Sequence, residues 1–403
     1  MKTPFSFRTP IAAGLLLVLS IVFTQLVFAA PDRSANVAAI PGIVIAADYV
    51  RSTEPAHLGV EFTAGKAMNF SGKVAVAGTY TIEVRVSHLV GDDPLFIITC
   101  DGKDITGTMN APYTGERIKW VSLFRPAVTL RAGLHHFSIA HKGGTSFYLE
   151  SIKFTKGGSP VPGPKPSAND WQLTWSDEFD QPGAPDPSKW DYDIGGGGWG
   201  NNELEYYTDR RVNSRVEGGK LIIEARKEEF KENHYTSARL VTRGKQDFKY
   251  GRFEVSAKLP SGLGTWPAIW LLGSNGKPWP ANGEIDIMEH LGRNQGWIHG
   301  SVHCQKYFFK NGNQKTSIVY IPDATIAFHE YALEWYPDHM DFFVDNNKYL
   351  TVVKEGEGWE GWPFDDPEHM ILNLALAGWG GPVTDAHLPA RMEIDYVRVY
   401  QHK

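Results

Sequence analysis

Cysteine is nearly missing from this chain: Cys100 and Cys304 are the two in 403 residues. No disulfide framework can be built from them, so the fold must rest on its own cores. They fall on opposite sides of a Pro/Gly-rich stretch, and two buried free thiols are expected rather than one bridge. Long apolar runs are missing too: after residue 30 nothing approaches the roughly 18 residues that a membrane span needs. Amphipathic periodicity longer than three helical turns is absent. Positive charge is in short supply, with 40 Lys and Arg against 46 Asp and Glu, a net of −6. Such a chain is a poor partner for nucleic acid or anionic surfaces, and a neutral polymer suits it better. What it does have is aromatics, 13 Trp, 16 Tyr and 21 Phe, alongside 41 Gly. Those serve either the core of a large all-β protein or surfaces that stack on flat ligands such as sugar rings.

The first 29 residues read as a signal peptide. Lys2 and Arg8 form a basic start, Ile11 to Val27 is mostly apolar, and Val27-Phe28-Ala29 supplies a small-residue end. The competing reading is a retained anchor, but Ser20, Thr24 and Gln25 interrupt the run. Removal after Ala29 would leave a secreted protein, extracellular or periplasmic, with no membrane contact. Losing Lys2 and Arg8 takes the formal charge from −6 to −8.

Residues 157–168 divide the remainder. Gly157 to Ser167 holds four prolines and three glycines, which can sustain neither ladder nor helix and make an extended spacer. In front of it, 35–156 reads as short strands. Thr79 to Val86 alternates apolar or aromatic residues with polar ones, Phe96 to Cys100 is a short β-branched run closed by Asp101-Gly102, and Trp120 to Leu123, Val128 to Leu130 and His136 to Ala140 follow. Behind it, 169–403 is also strand-rich, in Lys220 to Ala225, Gly251 to Lys258, Tyr331 to Trp335 and Ile394 to Tyr400. The expected fold class is all-β: an N-terminal β-sandwich module and a larger C-terminal sandwich of two antiparallel sheets.

Gly283-Glu284-Ile285-Asp286-Ile287-Met288-Glu289-His290 carries the chemistry. Side chains alternate along a strand, so Glu284 and Asp286 share one face while Ile285 and Ile287 bury on the other. Strict alternation would send Glu289 to the apolar side; a β-bulge near Met288 returns it to the carboxylate face. Crowded carboxylates hold one another's pKa up, and one protonated acid beside an ionised one is what glycosidic cleavage requires. A solvated acidic face or a metal site would show the same residues.

Glu-Ile-Asp-Ile-Met-Glu resembles the E-x-D-x-x-E motif of glycoside hydrolase family 16 in its laminarinase-like form. Trp199 to Tyr207, Trp266 to Leu272, His299 to His303, Phe328 to Trp335 and Ile394 to Tyr400 resemble that family too, in its order, over about Trp171 to Gln401. The resemblance implies a concave jelly-roll and a retaining double displacement that needs no cofactor. Glu284 would be the nucleophile, Glu289 the acid and then the base, and Asp286 the partner that sets the proton balance.

Among cleft positions, Trp266 and Trp270 would stack on sugar faces, with Trp266 the more exposed, and His303 matches a cleft histidine. Asn202, Arg239 and Asn373 match sugar-hydroxyl ligands, although each could equally cap a turn. Trp379, among glycines, suits a cleft wall. The resemblance also implies one structural Ca²⁺ held by Glu178, the backbone near Gly219, and Asp395, oxygen donors that fit its chemistry. The implied function is an endo-β-1,3-glucanase cutting laminarin-like β-glucans as a monomer. The alternatives are a mixed-linkage β-1,3-1,4-glucanase or a non-catalytic glucan-binding protein.

The front module resembles carbohydrate-binding module family 6 at Ile40-Pro41-Gly42, Ala77 to Val86, Leu130 to His135 and Phe147 to Phe154, with Trp120 matching a cleft aromatic. Ile45 and Ala47 stand where calcium-binding acids are usual, and Tyr148 where a sugar-binding Asn is usual. Those departures put sugar binding at the usual cleft in doubt.

Overall fold

The computed structural model describes residues 37–50, 59–89, 94–112, 114, 120–157, 170–356 and 358–403. The expected signal segment and linker residues 158–168 lie outside the described residues. Strands dominate, and the single α-helix among the described residues is the one turn Ala46–Tyr49. The protein is all-β.

Alternation in the sequence becomes alternation in burial. Tyr80, Ile82, Val84 and Val86 on the strand Gly78–Ser87 are fully buried, while most of the residues between them are half exposed. Trp120 to Leu123 and Val128 to Leu130, expected as separate strands, instead form one, Val121–Leu130. Its register slips near Ala127, whose left-handed φ of 61° lets an extra residue bulge out without ending the ladder. The front sheets enclose a cluster around Phe70, Phe96, Phe137, Phe147 and Phe154.

The second sandwich places one sheet over another. Its upper sheet runs, in order, Asp191–Tyr192, Arg239–Val241, Glu368–Leu376, Thr265–Gly273, Glu284–His290, Trp297–His303 and Lys315–Tyr320. The opposing sheet is centred on Ala390–His402, flanked by Leu221–Phe230 and Gly251–Lys258. Ile285, Ile287, Met288, Leu271 and Leu372 from above meet Val255, Leu333, Phe342, Ile394 and Val399 from below in one cluster. Glu284, Asp286, Glu289, Arg239 and Asn373 on the upper sheet are turned to the other face, where they line a cleft.

The two sandwiches join edge to edge. Val121–Leu130 pairs in parallel with Lys315–Tyr320 through Ile318↔Leu123 and Val319↔Phe124, which merges the upper sheet with a front sheet into twelve strands. Trp297 and Ile318 belong to the front cluster, and Trp297 Nε1 donates to the Thr108 carbonyl at 3.1 Å. Both cysteines are free thiols; Cys304 is buried as expected, but Cys100, the last residue of the strand Leu95–Cys100, is only partly so.

Candidate active site

The strand Glu284–His290 lies between Thr265–Gly273 and Trp297–His303. Asp286 is opposite Ser301, yet the next paired residue, Glu289, is opposite His299. Three steps on this strand thus match two on its neighbour. Ile287 and Met288 both turn into the core, fully or nearly fully buried, and Glu289 comes back to the face of Glu284 and Asp286. The bulge expected from the sequence is present.

The three acids lie on the floor of a cavity of about 300 Å³. Trp266 Nε1 donates to Glu289 Oε1 at 2.9 Å, and Trp279 Nε1 donates to Glu284 Oε2 at 2.8 Å. Two indoles on opposite sides of the cleft therefore each fix one carboxyl and present a ring beside it. Trp279 packs against Phe308 and Phe309, with Lys310 Nζ over its ring at 5.3 Å. At the other end the Arg239 guanidinium lies between the Trp199 and Trp270 rings, 4.9 and 4.8 Å from their centroids. Aromatic faces and a few placed polar groups are the lining that a sugar chain needs.

Burial, with the Asp286 charge behind it, pushes Glu284 up to about 7, and burial pushes Asp286 up to about 8. Glu289 is held well above the ordinary carboxylate range, first by burial and then by Asp286. His303 Nδ1 accepts from the Phe309 N–H at 3.2 Å, which leaves the ring proton on Nε2. That nitrogen is 3.1 Å from Asp286 Oδ2 and 3.8 Å from Glu284 Oε1, close enough to stabilise negative charge on either though not aligned as a hydrogen bond. All three acids are thus held above the ordinary carboxylate range, with His303 Nε2 beside two of them. Glu284, Asp286 and His303 also stand close enough to grip a cation, which would compete for the same carboxylates.

Of the residues singled out in the sequence, Arg239, Trp266, Trp270 and Asn373 line the cleft with the three acids. Trp266 and Trp270 are both half-buried. Asn373 is committed within the protein, accepting from Trp270 Nε1 at 2.8 Å and donating to the Tyr207 hydroxyl at 3.0 Å. Asn202 is exposed in a left-handed turn, φ 60°, and Asn201 beside it lines the cleft instead, donating to Glu203 at 3.1 Å. Trp379 is half-buried, its ring edge-on to Trp266 and 4.8 Å from His299. Gly378 permits this: its φ is +54°, and a Cβ there would come within 2.6 Å of the Asn201 carbonyl. Trp279, Phe309 and Lys310 were not foreseen, and only the aromatic surplus hinted at them.

The calcium donors do not fit as they stand. Glu178 is held by Arg398 through two bonds of 3.0 and 2.8 Å, so a guanidinium already neutralises the carboxylate that a cation would need.

One further acid lies beneath the site. Glu368 is fully buried, neither of its carboxyl oxygens has a partner, and a Cβ on Gly283 would come within 3.0 Å of its Oε1. Burial, then the charges of Glu284 and Asp286, hold it well above the ordinary range. Its folded-state value is raised, so the stability it permits is whole below about pH 4.3 and falls as pH rises from there toward the folded value. Glu368→Met, close in volume, is expected to raise unfolding free energy by about 1–3 kcal/mol at pH 4. The gain should widen toward pH 8, read as thermal midpoints at the two pH values; a gap that fails to widen would show the acid to be ionised and compensated.

A model of the glycosyl hydrolases family 16 matches residues 200–398. A β-glucanase of Rhodothermus marinus is 52% identical over 244 residues, 57% of this chain and 85% of that one. A glucan endo-1,3-β-glucosidase of Cryptopygus antarcticus is 36% identical, over 57% of this chain and 91% of its own. Among solved structures, the laminarinase of Rhodothermus marinus superposes with a TM-score of 0.57 at 51% identity, over 59% of this chain and all of that one. The carboxylate strand and every cleft residue but Trp199 lie within residues 200–398, and the chain belongs to glycosyl hydrolase family 16, an enzyme that hydrolyses O-glycosyl bonds.

Proposed function

We propose that the protein is an exported endo-β-1,3-glucanase that cuts laminarin-like chains by retaining double displacement. The observation that carries this is the bulged strand, which sets Glu284, Asp286 and Glu289 on the floor of one aromatic-walled cleft. The β-glucanase and endo-1,3-β-glucosidase relatives favour a β-glucan over another polymer.

In the first step the ionised Glu284 attacks the anomeric carbon while Glu289 gives its proton to the departing glycosidic oxygen. A glycosyl-enzyme ester forms, and the C–O bond to the leaving sugar breaks. In the second, Glu289, now ionised, takes a proton from water, whose oxygen displaces Glu284 with a second inversion. Asp286 and His303 Nε2 moderate the charge on Glu284 between these states. Carboxylate chemistry of this kind requires no cofactor.

Incubation with laminarin, lichenan and agarose, with products identified and the anomer of the first-formed reducing end followed by NMR, tests the reading. Internal cleavage of laminarin to β-anomeric products is expected. Cleavage of agarose alone, or α-anomeric first products, would overturn substrate or mechanism respectively. Lichenan cleavage in preference to laminarin would favour the mixed-linkage alternative.

A further inference from the structure

The seam between the two sandwiches is not fully closed. At one end of the short parallel ladder opens a second cavity of about 210 Å³, with Thr114 and Trp120 on the front wall and Gly312 to Thr316 on the catalytic wall. We propose that this seam is a second β-glucan subsite, built jointly by both sandwiches, that holds the chain beyond the part under attack. The inference rests on the proposed β-glucanase function.

Trp120 is a rigid platform. The outer edge of its six-membered ring is wedged over Gly59, where any Cβ would come within 2.5 Å of Cη2 and 2.8 Å of the Leu149 carbonyl. An indole held this way loses little entropy when a flat ligand stacks on it. Across from it, the polar groups divide into committed and free. Asn313 is tied into its own loop, Oδ1 accepting from the Phe308 N–H at 2.9 Å and Nδ2 donating to the Lys306 carbonyl at 3.0 Å. The Thr316 hydroxyl is taken by Ser301 and the Gly300 carbonyl. Lys315 is paired with Glu355 at 2.8 Å. Gln314 Oε1, by contrast, is buried and has no partner. An orphaned amide oxygen costs about 1–3 kcal/mol, which a ligand hydroxyl would relieve.

An aromatic platform facing an acceptor that lacks a donor, with the nearby charge already neutralised, selects a neutral polyol and not a phosphate or an acidic polymer. Position identifies which polyol. Phe309 and Lys310 line the catalytic cleft, and Gly312 to Thr316 line the seam, so one short segment borders both. Asn313 is three positions after Lys310, at most about 11 Å of extended chain. A glucan leaving the cleft past Phe309 and Lys310 arrives at Trp120.

The test compares full-length Trp120→Ala and Gln314→Ala with the wild type, on laminarin and on a short β-1,3-gluco-oligosaccharide that the cleft alone accommodates. For Trp120→Ala, KM on laminarin should rise roughly tenfold, the scale of one good aromatic contact. Gln314→Ala should raise it about threefold, with the rise confined to the long chain in both variants. Unchanged laminarin KM in both, or an equal loss on the oligosaccharide, would overturn the seam subsite while leaving the β-glucanase reading standing. A wild type inactive on both substrates would overturn the two together. Because Gln314 lies on the opposite wall, its variant reports even where Trp120→Ala fails to fold.

Discussion

Glu284→Ser is expected to lower kcat by roughly 10⁴-fold or more, on the scale of losing a residue that forms a covalent intermediate. Glucan binding should survive, because Trp266, Trp270 and Arg239 are untouched and Trp279 loses only a hydrogen-bond acceptor. The serine leaves a space where the carboxylate stood, opening to the same face of the sugar. Azide added with an activated aryl β-glycoside of a short glucan should enter that space and attack the anomeric carbon from the side Glu284 uses. The product is then the α-glycosyl azide, formed by one inversion in place of two. Product configuration assigns the residue in a way that a rate loss alone cannot. An α-azide places Glu284 on the nucleophile's side. A β-azide, or turnover near that of the wild type, would move the nucleophile elsewhere.

How much of this site was legible in the sequence depends on the range of the interactions that make it. The carboxylate strand was readable because its logic is local: Ile285 and Ile287 must bury, so two acids face outward, and only an extra residue at Ile287-Met288 brings Glu289 to join them. The alternating strand at Gly78–Ser87 was readable for the same reason. One residue of turn geometry defeated the reading of the Trp199 to Tyr207 loop, where the left-handed turn at Asn202 sends Asn201 to the cleft instead. Trp279 is five residues from Glu284, but its bond to that carboxyl depends on a loop path that no periodicity encodes. Asn373, Tyr207 and Trp270 come from three distant segments, so the chain of hydrogen bonds that fixes Asn373 in the cleft lining could not be anticipated. Least legible was the parallel pairing of Val121–Leu130 with Lys315–Tyr320, strands nearly 200 residues apart. A proline-rich spacer between two modules reads as separation, and side-chain patterns that bury a strand say nothing about which edge it joins.

Glu289→Gln separates the two steps of the reaction. The amide oxygen can still accept from Trp266 Nε1, so the side chain should keep its place while losing its proton. Hydrolysis of laminarin, whose leaving group is a sugar hydroxyl, should fall by about 10²–10⁴-fold, the usual contribution of general acid–base catalysis. With an aryl leaving group that departs unaided, the first step should run at nearly its normal rate. The second step lacks its base and becomes limiting, so a burst of phenol precedes slow turnover. The pH profile follows from the same assignment. Glu284 acts when ionised and is pushed up to about 7, so kcat/KM of the wild type rises as pH increases through that value. Glu289 acts when protonated and is held well above the ordinary carboxylate range by burial and by Asp286, so activity falls again once pH passes its own value. The variant should retain the rising limb and lose the falling one. A falling limb that persists in Glu289→Gln, or an equal loss on both leaving groups, would assign the acid to another residue. Asp286 would then be the first to test, since it shares the face, the burial and the raised pKa.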